Sequence, residues 1–434
     1  MAEVTVGIDI GSSSVKALAV DGDGEVLGRV RVPHRLGVPA PDRMEHDAAR
    51  AWRRGPRRAF RAFRDLAPRG VCVSAMVPSV TAVDRRGIPR TPGLLYGDAR
   101  GRTGREDVLG EAGELMGFLT WTAREAPDAH GYWPAQAVAN HALAGEAVLD
   151  TTTAVTAYPL FDLVGWDAAL LSRTGARVEQ MPRVAPSGQP AGRVDDAVLE
   201  PGTIDALAEQ LVAGADRAGD VLVVCGTTLI VWVVRPDEHQ VPGYLCVPHT
   251  TPGLWLSGGP SNAGGLFLDW SRRFLARARR PVDPARVPVW VPYPRGERVP
   301  LHDPRRRGQL VDLDLTHDAA ALHRAGFEAA GFVTRRVVEA SGVAARRIVA
   351  VGGGTRVDEW MQALADCTGL PVDVAAVPEG AARGAAFLAR VAAGLESSPT
   401  DAARWARTGR TVEPDPAWEQ AVADRYGRFL EVAG

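Results

Sequence analysis

The residues with the most evident chemical potential lie at 4–20, VTVGIDIGSSSVKALAV. Val4, Val6, Ile8 and Ile10 alternate with smaller residues and predict a buried strand. Gly11, Ser12, Ser13 and Ser14 make a tight turn. Val15, Ala17, Ala19 and Val20 predict a second strand running back beside the first. Such a turn gathers backbone N–H groups and hydroxyls into one small space, which suits phosphate oxygens. Asp9 stands just before it, where a carboxylate could hold Mg²⁺, usually through water. Lys16 is the only lysine in the chain, every other strong base being arginine. The plain alternative is an ordinary β-hairpin with a surface lysine, since Gly/Ser turns between strands are common. The stretch is neither a Walker A loop nor a GxGxxG, so those fingerprints lend it nothing.

Residues 221–234, VLVVCGTTLIVWVV, repeat that layout: strand, a polar turn at Gly226, Thr227 and Thr228, strand. Residues 91–100, TPGLLYGDAR, end a strand on Asp98 and Arg100. A polar pair at a strand end often lines a ligand crevice, with a structural ion pair as the alternative.

The elements that must position these groups follow from periodicity. Strands are predicted at 25–32, 70–76 and 80–83, and a helix at 44–65 anchored by Trp52, Phe60 and Phe63. Residues 101–150 read as mostly helical, most clearly at 135–143. Residues 203–215 predict an amphipathic helix opened by a Thr cap. Later come a Gly-rich segment at 257–265, a Pro-rich loop at 289–303 and a long helix at 318–341. A strand at 348–351 runs into Gly352, Gly353 and Gly354. Helix 358–368, strand 371–374 and helix 380–393 complete an α/β layering. The tail, 400–432, is read as helical and packed on the outside.

At 434 residues the chain calls for two domains, placed at 1–219 and 220–434. A hairpin duplicated about two hundred residues on suggests similar topologies facing one another, with the two turns across a cleft. The net charge of −2 gives no electrostatic case for nucleic acid or an anionic membrane. Cys72, Cys225, Cys246 and Cys367 form no CxxC and read as free thiols in a reducing compartment. No basic segment precedes an apolar run at the N-terminus, and no run is long enough to span a membrane. A cytoplasmic location is expected.

In order along the chain, these residues resemble the FGGY carbohydrate kinases, of the actin/hexokinase/Hsp70 superfamily, and within them the xylulokinase-like branch. Residues 7–16 look like the family's first phosphate motif, and Gly226-Thr227-Thr228 like its second. LYGDAR resembles its "WnDxR" strand end, and Thr203-Ile204-Asp205 its "GxxD" catalytic segment. Gly296-Glu297-Arg298-Val299-Pro300 resembles its "GERxP" loop. Gly352-Gly353-Gly354 with 360–366 resembles its adenosine motif. Each match is weak alone; six in order make a specific signal over nearly the whole chain.

The resemblance implies two actin-like (ribonuclease H-like) α/β domains flanking a central ATP and sugar cleft. It implies ATP-dependent phosphorylation of a sugar hydroxyl, with D-xylulose as the first guess. Asp205 would be the general base, kept ionised by the positive end of its helix. Asp9 would position Mg²⁺. Gly11, Ser12, Ser13, Ser14, Lys16, Gly226, Thr227 and Thr228 would hold the phosphates of ATP, and Gly265, Gly353 and Gly354 would let backbone approach the adenosine. Met76, Val77, Asp98, Arg100 and Asp205 are the sugar-contact candidates. As partners the reading gives only the sugar and ATP, plus a homodimer if a tail aromatic marks its face. Two departures stand out. Val77 replaces the histidine of the branch's Met-His-Gly, and residues 113–133 are shorter than usual. They keep open a kinase for another ketose, polyol or sugar acid, or a non-catalytic member of the fold. An ATPase switch of the Hsp70 or actin kind is the more distant competitor.

Overall fold

In the computed structural model, residues 1–2, 41–42, 102–110, 274 and 276–280 lie outside the described residues, and all others are described. That removes part of the expected helical region 101–150 from comparison. The chain divides into two compact units. One comprises Met1–Val212 with Ala381–Trp405, the other Ala213–Gly380 with Ala406–Gly434. A single boundary at 219/220 is therefore too simple, because residues 381–405 return to the first unit. Gly7 shows the physical reason. A Cβ there would lie 1.7 Å from the Ala382 carbonyl oxygen, so the helix Gly380–Ala392 presses directly onto the first strand.

The first unit is built on a sheet in the order Gly192–Val194, Ala197–Leu199, Gly70–Ala75, Thr5–Ile10, Ser14–Val20, Val26–Pro33. Thr203–Ile204 also pairs with Gly70–Ala75. The first two strands of the chain form the expected antiparallel hairpin, and Gly70–Ala75 runs parallel to Thr5–Ile10. The second unit repeats the plan. Asp220–Cys225 and Leu229–Arg235 are an antiparallel hairpin, with Arg347–Val351 parallel to the first of them. Both opening strands are buried along their whole length, which explains their near-continuous apolar character.

Three expectations need correction. Residues 44–65 are not one helix. Glu45–His46 is a short strand, Ala49–Arg54 a π-helical turn, and the α-helix runs only Gly55–Arg61. Pro56 has no N–H to give the carbonyl four residues back, so the helix restarts there. The Thr cap is also wrong. Thr203 and Ile204, both β-branched, extend the sheet, and the helix is Asp205–Ala213. In the tail, Thr408–Val412 is an edge strand on Val372–Ala375, and only Glu419–Ala433 is α-helix.

That last helix does not lie loosely outside. Arg425 donates from Nε and Nη2 to the buried Glu328 at 2.7 Å each, and Arg324 bridges Glu328 to Asp366. Tyr426 and Phe429 are buried against Phe332, and Arg324 stacks on Trp418 at 3.7 Å. Trp405 is buried too. The tail aromatics thus pack on their own chain, which removes the expected basis for a dimer face.

Candidate active site

Sheet topology decides which side chains meet in the first unit. Thr5–Ile10, Gly70–Ala75 and Thr203–Ile204 run parallel and adjacent. Ser74 is the register partner of both Asp9 and Thr203. Asp9, Met76–Val77 and Asp205 therefore cluster at the carboxyl ends of three neighbouring strands, where parallel sheets bind ligands. The distance across the three strands is two spacings, about 10 Å.

Asp9 is 6% exposed and faces Lys16 in the hairpin register, with Nζ 3.7 Å from Oδ2. Burial pushes its carboxyl above the ordinary value, and the Lys16 charge and hydrogen bond pull it back. Such a carboxylate gains from a further cation. Among the described residues no group of three or more His, Cys, Asp or Glu could cage a metal. One carboxylate beside a Gly/Ser turn nevertheless fits Mg²⁺, which keeps several waters and takes its other ligands from phosphates.

In the turn after Asp9, the carbonyls of Ser12, Ser13 and Ser14 all accept hydrogen bonds from the protein, from His46 Nε2, His34 N and Gly11 N. Arg31 Nε donates to Ser14 Oγ. A turn whose carbonyl oxygens are already taken up does not repel an anion with them. The second turn is held alike: Gly265 N donates to Gly226 O at 2.8 Å and Leu266 N to Thr227 O at 3.0 Å. Gly265 opens the helix Gly265–Ser271 that supplies these bonds.

Asp205 is the first residue of its helix, and its Oδ1 accepts from Ala206 N at 2.8 Å. The run leading to it is clamped from the helix Ala135–Ala144. Gln136 Nε2 donates to Ala75 O and Thr203 O, and Asn140 Nδ2 to Pro201 O. Glu200 Oε2 accepts from Gly202 N at 2.6 Å. Burial pushes Glu200 to about 7.

Sequence reasoning passed over Glu209, one helical turn beyond Asp205. It is 6% exposed; Oε2 accepts from Ala381 N at 3.1 Å, while Oε1 has no partner. Burial raises its carboxyl to about 8; Lys16 lowers it, and the charges of Asp9 and Asp205 raise it. Its i, i+4 spacing from Asp205 was the available signal.

At the strand end the pair Asp98/Arg100 is joined as an ion pair. Asp98 is completely buried, and its carboxylate accepts from Met44 N and from Arg100 N, Nε and Nη2. It braces Arg100. Arg100 also donates to Glu45 at 2.7 Å and lies 4.8 Å from the Trp121 ring centre. Met76 is buried and Val77 half-buried.

In the second unit Gly352–Gly354 follow Arg347–Val351, next to the strand that ends in the Gly226 turn. A Cβ on Gly354 would sit 2.2 Å from the Trp360 ring, so packing alone demands that glycine. At Gly353 a Cβ would meet nothing within 4 Å, leaving open space for a ligand. Glu297 of the GERVP loop accepts from Ser261 Oγ, Asn262 N and Arg298 N, tying that loop to the Gly-rich segment, and burial pushes it to about 7.

Comparison with known proteins agrees with this architecture. Residues 221–393 match the C-terminal domain of the FGGY family of carbohydrate kinases. Xylulose kinase of Escherichia coli K12 is 26% identical over 449 residues, covering 91% of this chain and 91% of that enzyme. Gluconokinase of Bacillus subtilis 168 is 23% identical over 462 residues, covering 91% and 88%. The crystal structure of xylulose kinase from Rhodospirillum rubrum superposes with a TM-score of 0.79 at 27% identity, over 99% of this chain and 98% of that one. No helix among the described residues is long and apolar enough to cross a membrane.

Proposed function

On the premise that this chain is a sugar phosphotransferase of the FGGY type, as its C-terminal domain and chain-length relatives indicate, we propose that it transfers the γ-phosphoryl group of ATP to a hydroxyl of D-xylulose. The observation that carries the roles is the placement of Asp9 and Asp205 at the ends of strands that share Ser74 as register neighbour. Asp205 takes the proton of the attacking hydroxyl as its oxygen bonds to phosphorus and the bond to the β-phosphate oxygen breaks. The turn Gly11–Ser14, with Lys16, and the turn Gly226–Thr228 hold phosphate oxygens. Gly353 gives the adenosine room. Asp9 holds Mg²⁺, which when bound offsets phosphate charge. Arg100, held rigid by Asp98 and Glu45, and Val77 face the sugar.

Val77 supports a second reading for the acceptor. An aliphatic side chain offers no hydrogen bond, so a sugar hydroxyl recognised there in other enzymes would lose its partner, and polar readout gives such sites their discrimination. A sugar acid such as gluconate is the alternative. Mass spectrometry of reactions with MgATP and a panel of ketopentoses, aldoses, polyols and sugar acids decides. A phosphate ester of one class supports the kinase and names its substrate class. Absence of any ester, with nucleotide binding intact, contradicts the transferase reading and leaves a binding protein.

A further inference from the structure

The short strand Glu45–His46 touches both halves of the first unit's site. It pairs with Leu36–Gly37 on one side and Gly93–Leu95 on the other. Besides the ladder, residues 44–46 take part in four hydrogen bonds. Met44 N donates to Asp98 Oδ2 at 2.6 Å. Glu45 Oε2 accepts from Arg100 Nη2 at 2.7 Å. His46 Nε2 lies 2.8 Å from Ser12 O, and Trp52 Nε1 lies 3.0 Å from His46 Nδ1.

The chemistry of the indole fixes the imidazole. An indole N–H only donates, so Nδ1 must accept, and the ring proton sits on Nε2, which donates to Ser12 O. His46 is 1% exposed, and burial lowers it to about 4, so the ring stays neutral at physiological pH. His34 packs edge-on against it at 4.5 Å and gives its backbone N–H to Ser13 O. Trp52 is locked in turn: a Cβ on Gly93 would lie 2.4 Å from its ring.

Resting on the kinase reading above, we propose that His46, oriented by Trp52, is a positioning residue that sets the phosphate turn by holding the Ser12 carbonyl, while Glu45 beside it sets Arg100. The two candidate subsites then share one rigid support. Loss of the imidazole donor frees the Ser12 carbonyl to turn toward the bound phosphates, where it repels them. Loss of the Glu45 charge loosens Arg100 and leaves the turn in place.

The test is MgADP binding by calorimetry, which needs no sugar turnover, on His46→Phe, His46→Gln, Trp52→Phe and Glu45→Gln. His46→Phe keeps the packing and removes the donor; it is expected to weaken MgADP about tenfold, the worth of one buried hydrogen bond of about 1.4 kcal/mol. His46→Gln restores an N–H to Ser12 O and is expected to recover most of the affinity. Trp52→Phe releases the tautomer and falls between. Glu45→Gln leaves MgADP affinity unchanged and, where an acceptor is phosphorylated, raises the sugar KM. Unchanged affinity in His46→Phe overturns the proposal, as does equal loss in His46→Phe and His46→Gln. If His46→Phe does not fold, Trp52→Phe carries the same decision. Absence of sugar turnover in the wild-type chain would contradict the kinase reading alone, since the binding series still reports on the turn.

Discussion

At the residue scale, the site is a set of carboxylates given different tasks by different burial. Asp9 has Lys16 against it, Asp98 is consumed by Arg100, and Glu209 is buried with one oxygen unpartnered. Glu209 gives a signed pH prediction. Its folded value of about 8 stands above the ordinary carboxyl value of 4.5. Its stabilisation is therefore complete below that unfolded value and is lost as pH rises through about 8. Glu209→Gln is expected to match wild type in unfolding free energy at pH 5 and to exceed it at pH 9 by about a few kcal/mol, seen as a higher melting temperature. Parallel melting curves across that range would contradict a buried, protonated Glu209. The residues at 9–16 were legible in the sequence because a lone lysine and a Gly/Ser turn stand out locally. The full set of bonds to Asp98 was not legible, because its partners Met44 and Arg100 come from two segments and no local pattern shows how many donors a carboxylate meets.

At the element scale, strands were read well and cap positions poorly. The duplicated hairpins declared themselves through buried β-branched runs and small polar turns. The boundary at Thr203 failed because a two-residue strand is paid for by its neighbour Gly70–Ala75, which is distant in sequence. The same holds for Thr408–Val412, whose β-branched residues were hidden in an apparently helical tail. Two element-level changes should be costly. Gly7→Ala forces a methyl into the Ala382 carbonyl and is expected to destabilise the chain by about 1–3 kcal/mol or more. Glu328→Ala strands the buried Arg425 guanidinium, takes one of two carboxylates from Arg324, and is expected to cost about 3–5 kcal/mol, read as a lowered denaturation midpoint. Midpoints within error of wild type would mean that neither contact matters to stability.

At the scale of the whole molecule, each unit carries a strand-turn-strand device in the middle of a mixed sheet, and the first unit adds the carboxylate that opens the helix Asp205–Ala213. Order along the chain made the family resemblance readable, since six short motifs fell in sequence over both units. The return of residues 381–405 to the first unit was not readable, because a helix carries no mark of which sheet it covers. The acceptor is the least legible property. In the proposed site it would rest on a few side chains such as Val77 and Arg100, and Arg100 is held in part by Glu45, far away in sequence. Asp205 is proposed to remove the proton during phosphoryl transfer, and sugar-dependent ADP release in wild type and Asp205→Asn measures that role. The variant is expected to lose about 10²–10⁴-fold in kcat with MgADP affinity preserved. A variant within tenfold of wild type would contradict it, and the base would have to be sought elsewhere.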